Sequence, residues 1–391
     1  MVDWGDQMRY NIVSIADIHW GAMDPDEMYN NLQYFLDFIK MRGDIDMVVI
    51  CGDYFDYRLT LNSKAALKAL RWFDELYNTC INSGVKRLRM IRGTKEHDND
   101  QLEAIHPRET GEFFKKFYIT TTEETLPGLN CIYCPDETIN LHEYEKLYMD
   151  QMMSIHDIGF FHGNFDIKLP KLVINQNLES EIPSIIYFKD YWSKFINGPM
   201  IAGHWHVFTD SDPLIYIGSY DRWIFGEEED KGFLFTQYNT EDHSYYWKHI
   251  VNPFARRYES IIIDNSLCVS PDDFANLHND ILDLKKSDPE MKIRVVYQIT
   301  VDNEESLVNF NEFKNVISSM KNLKIDVKDF VKKRNKEKQK ERVAISSGRY
   351  SYILNNPYDI KQNIHEFLLR ERNIDIPVET IDSIIGKYIP K

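Results

Sequence analysis

The sequence is short of cysteine, of long apolar runs and of positive charge, and each shortage narrows what the chain can be. Five cysteines in 391 residues (Cys51, Cys80, Cys131, Cys134 and Cys268) are too few and too scattered for a disulfide framework, so a reducing cytoplasm is expected. No apolar run approaches the roughly 18–20 residues that cross a bilayer, which excludes a membrane-spanning role. The opening MVDWGDQMRYNIV lacks the basic-then-apolar order of a secretory signal. A formal net charge of −16 argues against nucleic acid as a partner. That veto is weak, because bound divalent cations invert a local field and a basic patch can sit on an acidic body.

What remains is the composition of a globular protein, 43% hydrophobic and 28% charged, long enough for two or three domains. Over the first 250 residues, short apolar strands alternate with helical stretches and polar turns. YNIVSIAD, DMVVICGD, KRLRMIRG, NCIYCP, DIGFFHG, GPMIAGH, PLIYIGS and KGFLFTQY read as strands, mostly closed by glycine or a polar residue. NNLQYFLDFIKM and SKAALKALRWFDELYNTCINSG have helical spacing, the second closed by Gly84. The mixture predicts an α/β sandwich. The pair Cys131 and Cys134 invites a zinc or redox reading, but without a second such pair two half-buried residues on a strand are expected.

From about residue 252 the pattern becomes β-α-β-α, a small separate domain (RRYESIIIDN, FANLHNDILDLKK, KIRVVYQITVDN, FNEFKNVISSM). Residues 332–342, KKRNKEKQKER, carry seven Lys or Arg against two Glu: a solvated face or linker, or a strip for phosphates. The last stretch offers two short amphipathic helices suited to docking a partner.

Chemistry gathers at strand ends. ADIHWG supplies Asp17 and His19, and CGDYFD supplies Asp53 with Asp56 a turn later. GTKEHD supplies His97, FFHGN supplies His162, and GHWH supplies His204 and His206. At i, i+2 on a strand end both side chains point one way. Each motif alone is common by chance. Together, two carboxylates and four imidazoles suit a pair of divalent metals, with Asp53 the best bridge. Such a pair clamps the attacking and leaving oxygens of an in-line phosphoryl displacement.

In order and spacing, D-x-H, G-D-x-x-[DH], a GNH-like loop, H-G and G-H-x-H resemble the calcineurin-like metallophosphoesterases. IGSYDRWIFGEEEDKGFLF, residues 217–235, is similar to the segment that closes the nuclease domain of the SbcD family. That family is the bacterial and phage form of the double-strand-break repair nuclease, which works with the SMC-like ATPase SbcC. The motifs span residues 9–240, and beyond them the likeness rests on domain order. It implies a two-sheet α/β/β/α sandwich, then a small α/β capping domain and a helical C-terminal tail. The implied divisions are a nuclease domain at 1–250, a DNA-capping domain at 251–330, a basic linker at 331–349 and an ATPase-docking tail at 350–391. By matching position, Asp17, His19 and His206 would hold one metal, His162 and His204 the other, and Asp53 would bridge.

The resemblance further implies a preference for manganese, although magnesium, zinc or iron also suit such ligands. It implies double-stranded DNA ends as substrate, an SbcC-like ATPase as partner, a homodimer built on the helix near residues 62–83, and the cytoplasm as location. In one place the chain departs from the family, as a divergent, phage-like member would. The third loop reads GTKEHD, without the Asn that completes the second metal. Thr94, Glu96 or His97 could replace it, and His97 is assigned the leaving-group role. Competing expectations are a small-molecule phosphodiesterase or phosphatase with the same metals, and a catalytically weak scaffold for DNA ends.

Overall fold

The computed structural model describes residues 9–60, 62–105, 112–118, 121–136, 154–167, 186–332, 360–372 and 374–381. Its packing divides into two units, Met1–Ser260 with Ser287–Ile293, and Ile261–Lys286 with Arg294–Lys391.

The first unit holds two six-stranded sheets. One runs β14 (Tyr245–Val251), β13 (Gly232–Asn239), β1 (Arg9–Ile15), β2 (Met47–Cys51), β3 (Arg87–Ile91) and β4 (Phe114–Phe117). The other runs β11 (Thr209–Ser211), β12 (Leu214–Tyr216), β10 (Met200–Gly203), β7 (Ile158–His162), β6 (Leu129–Cys134) and β5 (Thr122–Leu126). A two-stranded pair, β8 (Asn164–Phe165) with β9 (Ile186–Tyr187), stands apart. The central strands β1–β2–β3–β4 and β12–β10–β7–β6 are parallel, and antiparallel strands close three of the four edges.

Strand alternation sorts the apolar residues into layers. On β2, Val48 and Ile50 face the helices while Met47, Val49 and Cys51 face the second sheet. Helices α1 (Pro25–Arg42) and α2 (Lys64–Asn82) cover the first sheet. α1 starts where the Asp24 carboxylate accepts from the amides of Asp26 and Glu27, and it stops at Gly43 with φ +63°. Its apolar stripe, Met28, Leu32, Phe35, Leu36 and Ile39, is the buried one. Between the sheets lie Tyr10, Ile12, Val49, Tyr133, Phe160 and Ile201. The outer face of the second sheet is covered by the segment around the short helix α3 (Lys189–Trp192), with Trp192 fully buried. The result is the expected mixed α/β fold with two large sheets.

On α2, Trp72, Phe73 and Leu76 enter the core while Leu67 is exposed. Cys131 and Cys134 lie on β6, fully buried in two different apolar layers. The two thiols thus face opposite sides of one sheet and cannot share an ion; the strand expectation holds, with burial complete rather than partial.

The second sheet-bearing segment orders β15 (Tyr258–Asp264), β16 (Lys292–Ile299) and β17 (Leu323–Asp329), with α4 (Pro271–Ser287) and α5 (Glu304–Ile317) in the connections. Within the second unit, Phe274, Ile281, Tyr297, Phe310, Phe313 and Ile317 are buried, and Tyr297 stacks on Phe310 at 3.9 Å. The third strand, LKIDVKD, alternates apolar and polar residues strictly, yet it was not among the strands expected from the sequence. Helix α6 (Ile360–Arg372) belongs to the tail. The basic strip beyond Lys332 lies outside the described residues.

Candidate metal centre

Every candidate ligand sits at or just past the C-terminal end of a parallel strand, where backbone direction changes and side chains from both sheets converge. The loops after β1 and β2 are sewn together: the Asp17 amide donates to Gly52 O at 3.1 Å, and the His19 amide to Asp53 O at 3.0 Å. In the other sheet the register pairs His162 of β7 with Gly203 of β10, which sets His204 beside His162. Their ring centroids are 5.3 Å apart.

The backbone is strained at the site. Asp17, His19, Asp53 and His204 have φ of +50°, +54°, +49° and +92°. Non-glycine residues rarely adopt that region, and each instance costs on the order of 1–3 kcal/mol. Gly52, at φ +84°, lies where a Cβ would overlap His162, so only glycine admits the imidazole there.

Two clusters of potential ligands form: Asp17, His19 and His206, and Asp53, His162 and His204. In each, one donor atom per residue lies within 4.8 Å of the others. They meet at one carboxylate oxygen. Asp53 Oδ2 is 3.3 Å from His162 Nε2 and 4.0 Å from His19 Nε2. A third grouping, His19, Asp56 and His97, shares His19 with the first. His19 Nδ1 is 3.3 Å from Asp56 Oδ1, and its Nε2 is 3.1 Å from His206 Nε2.

The tautomers follow from the partners. His162 Nδ1 contacts Cys51 O at 2.8 Å, and a carbonyl only accepts, so Nδ1 carries the hydrogen. Its Nε2, fully buried, faces Asp53 Oδ2 at 3.3 Å, and His19 Nδ1 faces Asp56 Oδ1 at 3.3 Å, each off the line of a well-formed hydrogen bond. Asp17 takes the His204 amide on both oxygens at 3.0 Å.

Electrostatics mark the site as cation-seeking. Burial raises the Asp17 carboxyl above its ordinary value. Against the upward push of burial, His162 and His19 hold Asp53 well below the carboxylate range. Burial opposes charge on His162, but the Asp53 carboxylate outweighs it and lifts the imidazole to about 10. Burial and the charge of His162 push His204 down to about 3, leaving a neutral ring with a free lone pair. Buried carboxylates, a neutral imidazole nitrogen and two buried ring nitrogens that face carboxylates without well-formed hydrogen bonds fit divalent cations of the N/O-binding kind.

The third loop takes a form its sequence left open. Thr94 donates both its amide (2.7 Å) and its hydroxyl (2.6 Å) to Asp53 Oδ1, and the hydroxyl also lies 2.8 Å from Oδ2. Glu96 is exposed. His97 places Nδ1 against Asp56 O and its ring edge-on to His19, with centroids 4.7 Å apart. Asp98, fully buried, accepts from Phe55 N at 3.0 Å and Gly93 N at 2.7 Å, tying the β2 and β3 loops together. Burial, reinforced by Asp53, raises its carboxyl to about 7.

Three contributors escaped the sequence reading. Glu227 Oε1 lies 3.2 Å from His206 Nδ1, the buried Lys231 donates to His206 O at 2.7 Å, and Trp223 sets its ring 5.6 Å from His19. Glu227 and Lys231 belong to the FGEEEDKG stretch, whose sequence carried only a family likeness. Among the described residues, no helix is long and apolar enough to cross a membrane.

Comparison with curated proteins yields no significant match. The calcineurin-like phosphoesterase family matches residues 10–263, a span that includes both sheets of the sandwich and every candidate ligand. The chain therefore belongs to the calcineurin-like phosphoesterases, hydrolases of phosphoesters that work with divalent metals.

Proposed function

We propose that the chain is a manganese-dependent nuclease of the SbcD type, cutting double-stranded DNA at and near its ends as partner of an SbcC-like ATPase. The observation that carries this reading is the meeting of the two ligand clusters on Asp53 Oδ2. Asp17, His19 and His206 would hold one cation and His162 and His204 the other, with Asp53 between them. Two cations so held supply Lewis-acid stabilisation for the charge that builds on a phosphoryl group in in-line displacement. The protein's own part is to fix the ligands in strained loops, to keep His204 neutral, and to bring His97 as proton donor to the leaving oxygen.

A polymer rather than a small phosphoester is supported by the close packing of the FGEEEDKG segment on His206 and by the β15–α4–β16–α5–β17 segment beyond the sandwich. A homodimer would use the exposed part of α2 around Leu67, and the tail containing α6 would dock the ATPase.

The test is cleavage of end-labelled duplex DNA by the purified chain with manganese, with magnesium and with chelator, alone and with the cognate ATPase and ATP. Manganese-dependent shortening is expected, with Asp53→Ala and His204→Ala each losing at least about 10³-fold. Turnover of a small aryl phosphodiester without any DNA cleavage would instead favour the small-molecule reading. Stoichiometric manganese binding without cleavage of either substrate would favour a DNA-end scaffold.

A further inference from the structure

The FGEEEDKG stretch does chemistry that the six strand-end ligands do not explain. Gly226, at φ +101°, turns the chain, and the next residue, Glu227, is 3% exposed. Its carboxylate divides its oxygens between two tasks. Oε1 takes His206 Nδ1 at 3.2 Å, while Oε2 accepts from Trp223 N at 2.8 Å and lies 3.4 Å from Lys231 Nζ. Lys231, 1% exposed, carries the same ammonium on to His206 O at 2.7 Å, a carbonyl that also accepts from Ser219 N at 3.1 Å. His206 is thus gripped at its ring and at its carbonyl by one buried ion pair.

We infer that Glu227 and Lys231 are positioning residues that set the ring angle and tautomer of His206 for a divalent cation. This rests on the two-metal reading above. A carboxylate only accepts, so the hydrogen of a neutral His206 must sit on Nδ1. The lone pair is then on Nε2, the nitrogen 3.1 Å from His19 Nε2, and His206 belongs to the cluster with Asp17 and His19. Carboxylate partners of this kind orient a ligand ring and raise its basicity, and removing them costs about 10- to 100-fold in metal affinity. Lys231 in turn keeps the Glu227 carboxylate from swinging away and balances its charge in a buried setting.

The deciding experiment is calorimetric titration of the full chain with manganese alone, for wild type, Glu227→Gln, His206→Ala and the double variant. In Glu227→Gln, one of two binding events should weaken by about 10- to 100-fold while the other keeps its wild-type affinity. In the His206→Ala background the same substitution should change nothing further, because its effect passes through that ring. Lys231→Met should weaken the same event as Glu227→Gln. Wild-type affinity at both events in Glu227→Gln overturns the assignment. So do additive losses in the double variant, or equal weakening of both events with a lower melting temperature for the metal-free protein, which mark a structural role only. A wild-type chain that takes up no manganese would overturn the two-metal reading and this assignment together.

Discussion

Thr94 closes on Asp53 with two donors at once, its amide at 2.7 Å and its hydroxyl at 2.6 Å from the same Oδ1. Oδ2, the other oxygen, is the one that faces His162 and His19. The hydroxyl also lies 2.8 Å from Oδ2, so the third loop holds both carboxylate oxygens while Oδ2 is turned into the centre. Thr94 therefore acts as a clamp on the Asp53 carboxylate.

Thr94→Val should lower turnover and manganese affinity by about tenfold or more, since a hydrogen bond to a charged group is worth about 1.5–3 kcal/mol. Thr94→Ser keeps the hydroxyl and should stay within a few-fold of wild type. Metal titrations of the two variants side by side check this; equal behaviour would remove the clamp.

His97 has Nδ1 occupied by Asp56 O, so only Nε2 is free to serve a leaving oxygen. If it donates that proton, His97→Ala should cost on the order of 10²–10⁴-fold on DNA, whose leaving alkoxide needs it. On a nitrophenyl phosphodiester, whose leaving group departs without protonation, the loss should be far smaller. Comparing the two substrates in one variant decides the role, and equal losses would assign His97 to the structure of the site.

Manganese should raise the melting temperature. Four candidate ligands sit at positive φ and buried carboxylates and imidazoles crowd together, so a cation bound to the folded chain would relieve charge there. At a concentration about 100 times its Kd a ligand adds about 2.7 kcal/mol, or roughly 5–10 °C for a domain of this size. Differential scanning with manganese and with chelator measures it; coincident transitions would count against a preformed centre.

Away from the centre, His249 stacks on Phe208 with centroids 4.5 Å apart, and burial pushes its imidazole down to about 4. The unfolded chain, with an ordinary value near 6.5, binds more protons than the folded one between pH ~4 and ~6.5. Stability contributed by neutral His249 is thus present above pH ~6.5 and falls as pH drops towards ~4. His249→Phe should keep the stack and flatten that part of the profile. Denaturant melts at pH 4.5 and 7 for both chains would show it, and an unchanged slope would refute it.

The sandwich was legible because its strands are buried on both faces and bounded by glycine or polar turns, as in DMVVICGD and DIGFFHG. The antiparallel edge strand YYWKHIV was not, because its half-exposed residues carry a mixed pattern, whereas the third strand LKIDVKD alternates strictly and carried a signal that the reading passed over. The strand-end Asp and His residues were visible as chemistry, but the pairing of Glu227 with His206, 21 residues apart, has no periodic signature.

Sequence by itself determined which residues carry donor atoms and that each follows a strand, since composition and period 2 are local properties. Only the tertiary structure decided their company. The β7–β10 register set His204 beside His162, the seam between the β1 and β2 loops set His19 facing Asp53, and the fold of the third loop gave Asp53 Oδ1 to Thr94. Contacts between residues distant in sequence depend on strand register and loop conformation, and those are fixed by burial of the whole core rather than by any one stretch of chain.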